Sequence, residues 1–425
     1  MSDNEYLKRL FQAYYKENRS EITYVSRFEQ REFGYIPWDN QIIMNRHLSF
    51  QNHESLIKYL IEEGPRHVYS SGALYLKPDN TDMDNKIYQG CDLIIDIDVD
   101  HFYTPCKEDH DLWICNSCGK EGTGMPKKCP NCGKLKLKTI NWICTNCLDV
   151  AKNEIFKLIY NFLIPDFGIN LDQTKIAFSG HRGYHLKIEN EDIRTLSSEE
   201  RREISNYLSG EHISFEILGW QKRVDSIFGP FKDNIGWTNK IMKKIEDFLK
   251  KPYQEIHDLL GNKNKFNFNE SQVKAFLNLK EDILGVLNDN SRNTWPSYGF
   301  GVDSWYKFLK GIVHEIGVEI DIPVTIDIHR LIRYPGSLHG KTGFRAQEIY
   351  PDELDDFNPL DEAIDKLDPI VFKSNKSQKL IITESKVPLT KIKGESYGPY
   401  NKDEIIEVPH HIAVFLLCKE VAKTI

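Results

Sequence analysis

Hydrophobic residues recur along the chain with two different periods, which predict helices and strands respectively. Helices are predicted at 4–17, 53–63, 151–163 and 410–422, with a longer helical block at 236–300. Strands are predicted at 66–77, 91–99 and 319–332, and as a turn-linked pair at 175–189. This interleaving predicts an α+β (mixed α/β) fold and disfavours a repeat protein or a coiled coil.

The order of these elements around two inserts predicts a divided catalytic domain. Its three parts are expected at 1–105, 148–235 and 301–345, with a zinc-binding module at 106–147, a helical insertion at 236–300 and a C-terminal segment at 346–425. Within the insertion, Asn269 followed three residues later by Gln272 predicts a helix start.

Composition narrows the class of protein. The 425 residues are 40% hydrophobic and 28% charged, which suits two or three globular units. Neither a membrane-length apolar run nor a secretory signal is evident, so we expect a cytoplasmic protein without a membrane partner. The net charge of −8 argues against a uniformly basic surface. Local lysine runs such as 127–138 can bind nucleic acid or simply form a solvated face.

An acidic strand is the first chemical signal. In DLIIDIDVDHF (92–102), Asp96, Asp98 and Asp100 alternate with apolar residues and therefore share one strand face. Burying these anions together is costly unless a cation compensates them. Carboxylates at this spacing can hold a pair of Mg²⁺ or Mn²⁺ ions for phosphoryl transfer. The alternative is a solvent-facing acidic edge strand.

Two later segments offer ligands for phosphate. The turn SGHRGYH (179–185) combines Ser179, Arg182 and His185 with two glycines, although it also fits an ordinary hairpin tip. The segment 329–343 contains four candidate phosphate ligands, although it also fits a basic surface loop: Arg330, Arg333, His339 and Lys341. Just before it, Asp321 and Asp327 are the two candidates for a third metal-binding carboxylate. Arg46 is a further candidate cation.

Seven of the nine cysteines fall between residues 106 and 147, and metal binding explains them better than disulfides in a cytoplasmic chain. Two C-x2-C pairs separated by ten residues predict a four-thiolate zinc ribbon of Cys115, Cys118, Cys129 and Cys132. Cys106, Cys144 and Cys147 flank the ribbon and predict an outer zinc knuckle. His110 is its expected fourth ligand, with His101 in reserve.

Taken together, these motifs resemble the small, catalytic subunit of the archaeal and eukaryotic type of DNA primase, and most closely its archaeal branch. The resemblance covers most of the chain to about residue 345, together with the C-terminal apolar helix. It rests on the cysteine and histidine knuckle and on REFGY (31–35), NRHLSF (45–50), DIDVDH (96–101), SGHRGYH (179–185) and RLIRYPGSLHGKTG (330–343).

This resemblance implies a primase fold that synthesises RNA or DNA primers from nucleoside triphosphates on single-stranded DNA, in complex with a large subunit. It implies catalytic Mg²⁺ or Mn²⁺ on Asp96, Asp98 and Asp321, with Asp327 as the fallback. The implied nucleotide contacts are Ser179, Arg182, His185, Arg333, His339 and Arg46. Shorter family members lack the four-cysteine ribbon.

Two other functions remain open from the sequence. One is a polymerase or repair nucleotidyltransferase of the same superfamily that extends primers without starting them. The other is a non-catalytic zinc-ribbon subunit that binds nucleic acid and carries a purely structural acidic strand.

Overall fold

The computed structural model describes residues 1–39, 43–223, 226–231, 235–289, 293–361, 367–374 and 376–425. Its α-helices are α1 Asp3–Glu17, α2 His53–Glu63, α3 Lys107–His110, α4 Thr145–Phe156, α5 Glu191–Arg194, α6 Ser198–Ser209, α7 Gly236–Leu249, α8 Tyr253–Gly261, α9 Glu270–Asn278, α10 Lys280–Asn288, α11 Val302–Ile316, α12 Ile322–Ile326 and α13 His410–Cys418. Helix α4 continues as a π-helix over Lys157–Leu163.

The strands in the first half of the chain are β1 Phe33–Ile36, β2 Asn45–Leu48, β3 His67–Ser71, β4 Ala73–Tyr75, β5 Tyr88–Cys91, β6 Leu93–Asp98, β7 Leu112–Cys115, β8 Glu121–Thr123, β9 Leu137–Ile140, β10 Thr174–Phe178 and β11 Gly183–Ile188. Those in the second half are β12 Gln221–Lys222, β13 Ile227–Phe228, β14 Thr294–Trp295, β15 Leu331–Arg333, β16 Gln347–Ile349, β17 Ser377–Ile382, β18 Lys386–Val387, β19 Thr390–Ile392, β20 Glu395–Tyr397, β21 Tyr400–Asn401, β22 Ile405–Pro409 and β23 Ala422–Thr424. The predicted mixed α/β class is confirmed.

The chain divides into two compact units. The first comprises Met1–Ile155, Asn170–Arg202 and Ile320–Ile425, and the second comprises Phe156–Ile169 and Glu203–Glu319. The second unit is therefore wider than the helical insertion expected at 236–300. The finer division into catalytic, zinc-binding and C-terminal domains stays a prediction.

Two antiparallel sheets of the first unit carry the residues of interest. One has the strand order β15-β3-β1-β2, and the other has the order β16-β10-β11-β6. In the second sheet, β6 pairs with β11 so that Asp96 lies opposite His185 and Asp98 opposite Gly183. Ile95 and Ile97 are fully buried on the other face of β6. The alternation predicted from the sequence therefore separates an apolar face from a carboxylate face.

The second unit is organised around buried aromatic side chains. Phe276 of α9 packs against Phe308 and Trp305 of α11, with ring centroids 4.7 and 5.9 Å apart. The helix start predicted at Asn269 is confirmed, because the Asn269 and Gln272 side chains form a reciprocal capping box.

The strand predicted over 319–332 is wrong for most of its length. Asp321 is the residue before the short helix α12 and makes no capping bond with its side chain. A proline lies in the first turn of α12, and only β15 near the end of the segment is a strand. A proline in the first turn suits a helix because the amide that it lacks has no partner inside the helix there. Among the described residues, no helix has both the length and the apolar character needed to cross a membrane.

Candidate active site

Three carboxylates from two separate segments meet at the end of β6. Asp96 and Asp98 extend from the polar face of β6, and the Asp321 backbone amide donates to the Asp96 carbonyl oxygen at 2.8 Å. The side chains of Asp96 and Asp321 are each 13% exposed. Asp327, the alternative third carboxylate, instead accepts from the His329 amide at 2.9 Å. The structure therefore brings Asp321 to the acidic strand.

The electrostatics of this group are unfavourable without a cation. Burial raises the pKa of Asp96 well above its usual value, and the charges of Asp98 and Asp321 raise it further. Burial and the charge of Asp100 raise the pKa of Asp98 to about 6. Asp92 at the start of the same segment differs, because Arg31 and Arg194 each donate to its carboxylate at 2.7 Å.

The carboxylate group fits a hard divalent cation. Within the described residues, the buried Oδ1 atom of Asp96 has no hydrogen-bond partner. Buried polar atoms are almost always satisfied, so an orphaned carboxylate oxygen beside two more carboxylates is a suitable ligand for Mg²⁺ or Mn²⁺. These residues thus have the donor chemistry that the acidic strand predicted.

Cationic groups act on the carboxylates from the segment that contains β15. The charges of Arg330 and Arg333 both lower the pKa of Asp96, in opposition to burial. Arg333 is oriented by distant residues, donating to His67 Nδ1 at 2.8 Å and to the Tyr69 hydroxyl at 3.2 Å. His67 was not among the predicted site residues, because the pattern of RHVYSSG indicates only a strand.

The two predicted histidines are neutral rather than cationic. Burial and the charge of Arg333 lower the pKa of His185 to about 3, and its Nε2 atom lies 3.4 Å from Asp96 Oδ1. Burial also holds the pKa of His339 well below its usual value. The His339 ring stacks on His181 at a centroid distance of 5.3 Å. These imidazoles can exchange hydrogen bonds with phosphate, but they bring no positive charge of their own in this state.

A cavity of about 400 Å³ has His185 and Arg333 in its wall. It lies between the two sheets, because Ile94 of β6 and Ser70 of β3 also line it. Its volume is in the usual range for small-ligand pockets. Lys187 and Glu189 form an ion pair of 2.5 Å in its wall.

Arg182 does not have the environment predicted for a triphosphate ligand. Its side chain is fully buried, and its guanidinium donates to Asp100, to both carboxylate oxygens of Asp111 and to the Trp142 carbonyl oxygen. A phosphate could reach this group only after those bonds broke and left buried charges unpaired. We therefore assign Arg182 to the support of the site and remove it from the nucleotide contacts.

Ser179 and Arg46 are also occupied by protein partners. The buried Ser179 hydroxyl accepts from the His181 amide at 3.4 Å, at the turn between β10 and β11. Arg46 donates to the buried Glu32 carboxylate at 3.0 Å and to the His329 carbonyl oxygen at 3.1 Å. Arg46 remains 35% exposed at its side chain, so one face of it can still meet solvent.

Two glycines allow the turn 179–183 to approach its neighbours closely. Gly180 has φ of +85°, and a Cβ atom there would lie 2.7 Å from His339 Cβ. A Cβ atom on Gly183 would lie 2.6 Å from the Ile97 carbonyl oxygen of β6. Both contacts are too short for any side chain, so the glycines bring this turn against β6 and the His339 segment.

The predicted knuckle ligands come together at one point. Cys106, His110, Cys144 and Cys147 each offer a donor atom, and all four atoms lie within 4.8 Å of one another. Cys144 Sγ lies 3.3 Å from His110 Nε2, and Cys106 Sγ lies 3.4 Å from Cys147 Sγ. The reserve ligand His101 instead places Nε2 3.5 Å from Asp321 Oδ2.

The ribbon cysteines form a second group of four closely spaced ligand atoms. Cys115, Cys118, Cys129 and Cys132 have Sγ atoms within 4.8 Å of one another, including pairs at 3.6 and 3.7 Å. Thiolates about 2.3 Å from a tetrahedral zinc ion are separated by about 3.8 Å. Both groups therefore have the composition and the spacing of structural zinc sites.

Known proteins resemble this chain in sequence. A sequence model described as DNA primase small subunit matches residues 128–350, which is more than half of the chain. The DNA primase small subunit of Methanosarcina acetivorans is 30% identical over 99% of this chain and 96% of its own length. The chain belongs to the DNA primase small subunit family. The family is one of DNA-directed nucleotidyltransferases, and this chain is an enzyme of that class.

Other relatives are aligned over nearly their full length. The DNA primase small subunit of Picrophilus torridus is 30% identical over 96% of this chain and 94% of its own length. That of Nitrosopumilus maritimus is 29% identical over 99% of this chain and 98% of its own length. The resemblance inferred from the motifs, including the archaeal branch, is thus confirmed along the whole chain.

Proposed function

We propose that this primase small subunit starts nucleic-acid chains, joining nucleoside triphosphates into short RNA or DNA primers on single-stranded DNA. The observation that carries the proposal is the meeting of the partly exposed residues Asp96, Asp98 and Asp321, together with a buried Asp96 oxygen that has no hydrogen bond among the described residues. Family membership supports the same activity.

The three carboxylates are the proposed ligands of Mg²⁺ or Mn²⁺. Asp96, Asp98 and Asp321 would hold two such cations, which would supply activation of a 3′ hydroxyl for in-line attack on an α-phosphate and charge compensation for the departing pyrophosphate. The charge of Arg333 compensates the β- and γ-phosphates, while His67 and Tyr69 hold its guanidinium. His185 and His339 are proposed to donate hydrogen bonds to phosphate oxygens.

The remaining nucleotide contacts and partners are also part of the proposal. Ser179 and the exposed side of Arg46 are retained as further nucleotide contacts, and no protein nucleophile is involved. Zinc at the knuckle and at the ribbon is structural. The enzyme acts with a primase large subunit in the cytoplasm, at the nucleoid if the cell has no nucleus.

Primer synthesis without a primer tests the proposal directly. Native protein with its large subunit, Mn²⁺ and nucleoside triphosphates should produce short oligonucleotides on single-stranded DNA. The double variant Asp96→Asn/Asp98→Asn should lose at least about 100-fold of this rate, because metal ligation supplies several kcal/mol. Asp149→Asn removes an exposed carboxylate from α4 and is the matched control. Native-rate synthesis by the double variant would refute the metal site.

The chemistry of the 5′ end separates initiation from extension. Products of initiation retain a 5′ triphosphate, which labelling with γ-³²P nucleotide detects. A chain that lengthens an added primer but yields no γ-labelled product would be a primer-extending polymerase, the alternative left open by the motifs.

A further inference from the structure

A continuous path of hydrogen bonds runs from the zinc knuckle towards the carboxylate strand β6. It begins at His110, whose Nε2 atom faces the cysteines while its Nδ1 atom lies 2.9 Å from Asp111 Oδ1. Metal-bound histidines commonly donate their second ring N–H to a carboxylate, which sets the ring's orientation. Asp111 is therefore placed to orient this ligand.

The Asp111 carboxylate is buried and fully engaged on its other side. It is 1% exposed, and Arg182 donates to both of its oxygens at 2.8 Å in a bidentate pair. The Trp142 amide donates to Asp111 Oδ1 at 2.9 Å. Bidentate arginine–carboxylate pairs fix direction as well as distance, so the position of Asp111 determines that of Arg182.

Arg182 continues the path to a proposed catalytic ligand. Its Nε atom donates to Asp100 Oδ1, and the Asp100 amide donates to Asp98 Oδ1 at 2.9 Å. The Arg182 carbonyl oxygen also accepts from the Val99 amide at 3.3 Å. These bonds connect the guanidinium to the turn that follows β6 and, through the Asp100 amide, to an oxygen of Asp98.

A second side chain makes a parallel connection. Lys107, which follows the knuckle ligand Cys106 on α3, is 2% exposed. Its ammonium group donates to the Val99 carbonyl oxygen and, at 2.5 Å, to the Phe102 carbonyl oxygen. Lys107 thus bonds directly to the turn at the end of the acidic strand, and Asp111 is connected to the same turn through Arg182.

We propose that Asp111 is a positioning residue that couples zinc occupancy of the knuckle to the affinity of the Asp96 and Asp98 site for its divalent cations. Zinc holds the His110 ring, the ring holds Asp111, and the Asp111–Arg182 pair holds Asp100 and Asp98 in their metal-binding orientation. The knuckle is then a support for the catalytic strand as well as a stabiliser of its own loop.

Mn²⁺ binding in the absence of nucleotide tests this coupling. Electron paramagnetic resonance of free Mn²⁺ gives the dissociation constant for the native chain, first loaded with zinc and then depleted of it. Depletion should weaken Mn²⁺ binding by about 10-fold, the lower end of effects from residues that support metal ligands. Restored zinc should restore the affinity.

The variant Asp111→Asn should show the same weakening while zinc is still bound, as measured by elemental analysis. Its amide places a donor against Arg182 and breaks the bidentate pair. Further zinc depletion should then change its Mn²⁺ affinity little, because both changes interrupt one path. In elongation assays, the Mn²⁺ concentration for half-maximal rate should rise more than kcat falls.

Asp109→Asn is the matched control, since Asp109 is an exposed aspartate on α3, two residues before Asp111, which follows that helix. It should bind Mn²⁺ as the native chain does. Native affinity in zinc-loaded Asp111→Asn, or no response of the native chain to zinc depletion, would overturn the inference. If Asp111→Asn does not fold, the zinc series on the native chain decides alone.

The inference rests on the proposed metal site, and the two can fail separately. If Asp96→Asn/Asp98→Asn binds Mn²⁺ as tightly as the native chain, the proposed site is wrong. If that variant loses Mn²⁺ but neither zinc nor Asp111 affects binding in the native background, only the coupling is wrong.

Discussion

Two aspartates four residues apart, Asp92 just before β6 and Asp96 within it, have different surroundings in this protein. Asp92 is buried but satisfied, because Arg31 and Arg194 donate to both of its oxygens. The Asp96 side chain is 13% exposed, but it faces Asp98 and Asp321 and has an oxygen without a hydrogen bond in the described structure. The ion pairs of Asp92 stabilise the fold. The carboxylates around Asp96 repel one another, and a bound cation would compensate their charge.

This repulsion predicts that a metal ligand can be removed with a gain in stability. Asp96→Asn should raise the Tm of the chain by about 2–4 °C in buffer without Mg²⁺ or Mn²⁺ and with zinc retained, because it removes a carboxyl group whose ionised form the folded chain disfavours. Differential scanning calorimetry measures the change, with Asp149→Asn as the control. A lower Tm for Asp96→Asn would show that the carboxylate is satisfied in the folded chain.

The same repulsion fixes the direction of the pH dependence. Burial and the charge of Asp100 raise the pKa of Asp98 to about 6 in the folded chain, whereas an unfolded aspartate has a pKa of about 4. Between about pH 6 and pH 4 the folded form holds a proton on Asp98 that the unfolded form does not, so the contribution of this one carboxyl to the stability of the metal-free chain rises as the pH falls. Mn²⁺ competes with that proton, and its affinity should decline over the same range.

At the scale of elements, the zinc ribbon is built from two turns of the same design. Cys115 and Cys129 each accept, at their carbonyl oxygen, a bond of 2.9 Å from the glycine four residues later. Their amides donate to the carbonyl oxygens of Lys120 and Lys134 at 2.8 and 2.9 Å. Local C-x-x-C-G-K sequence therefore determines each turn, and the pairing of β7 with β8 and β9 brings the two turns together.

The ribbon and the knuckle have separate ligands, so their zinc ions should be separable. Cys118→Ser should lower the zinc content from two ions per chain to one, since Cys118 belongs only to the ribbon group. Elemental analysis of the purified chain measures the ratio. Ser117→Ala changes an exposed neighbour on the same turn and should leave both ions in place. A native zinc content in Cys118→Ser, or loss of both ions, would contradict independent sites.

For the whole molecule, net charge limits how firmly the chain can hold a template. The chain carries −8, although lysines such as Lys127, Lys128 and Lys134 are exposed on the ribbon. We expect the isolated chain to bind single-stranded DNA in the non-specific range, with Kd of about 10⁻⁴–10⁻⁶ M at physiological salt. Fluorescence anisotropy over a salt series measures this affinity.

The same anisotropy measurement is repeated with the large subunit added. The affinity for single-stranded DNA should then rise if, as we propose, the large subunit supplies many of the contacts to the template. Nanomolar, salt-independent binding by the isolated chain would show that it needs no such help, because charge-based contacts always weaken as salt rises.

Local sequence by itself determined the features that depend on neighbours along the chain. The period of two in β6 separated carboxylates from core residues, and the cysteine spacing grouped the ribbon ligands. The prediction for 53–63 is confirmed as α2, because Asn52 caps its start and Gly64, with φ of +52°, ends it. These signals act within one or two turns of backbone, so the sequence displays them directly.

Tertiary structure alone decided the roles that depend on burial and on distant partners. Arg182 was expected to meet phosphate, yet it is paired with Asp111, 71 positions away. Arg333 is held by His67, which lies 266 positions away, and burial leaves His185 neutral. A charged side chain is defined by what surrounds it after folding, and neither periodicity nor spacing carries that information.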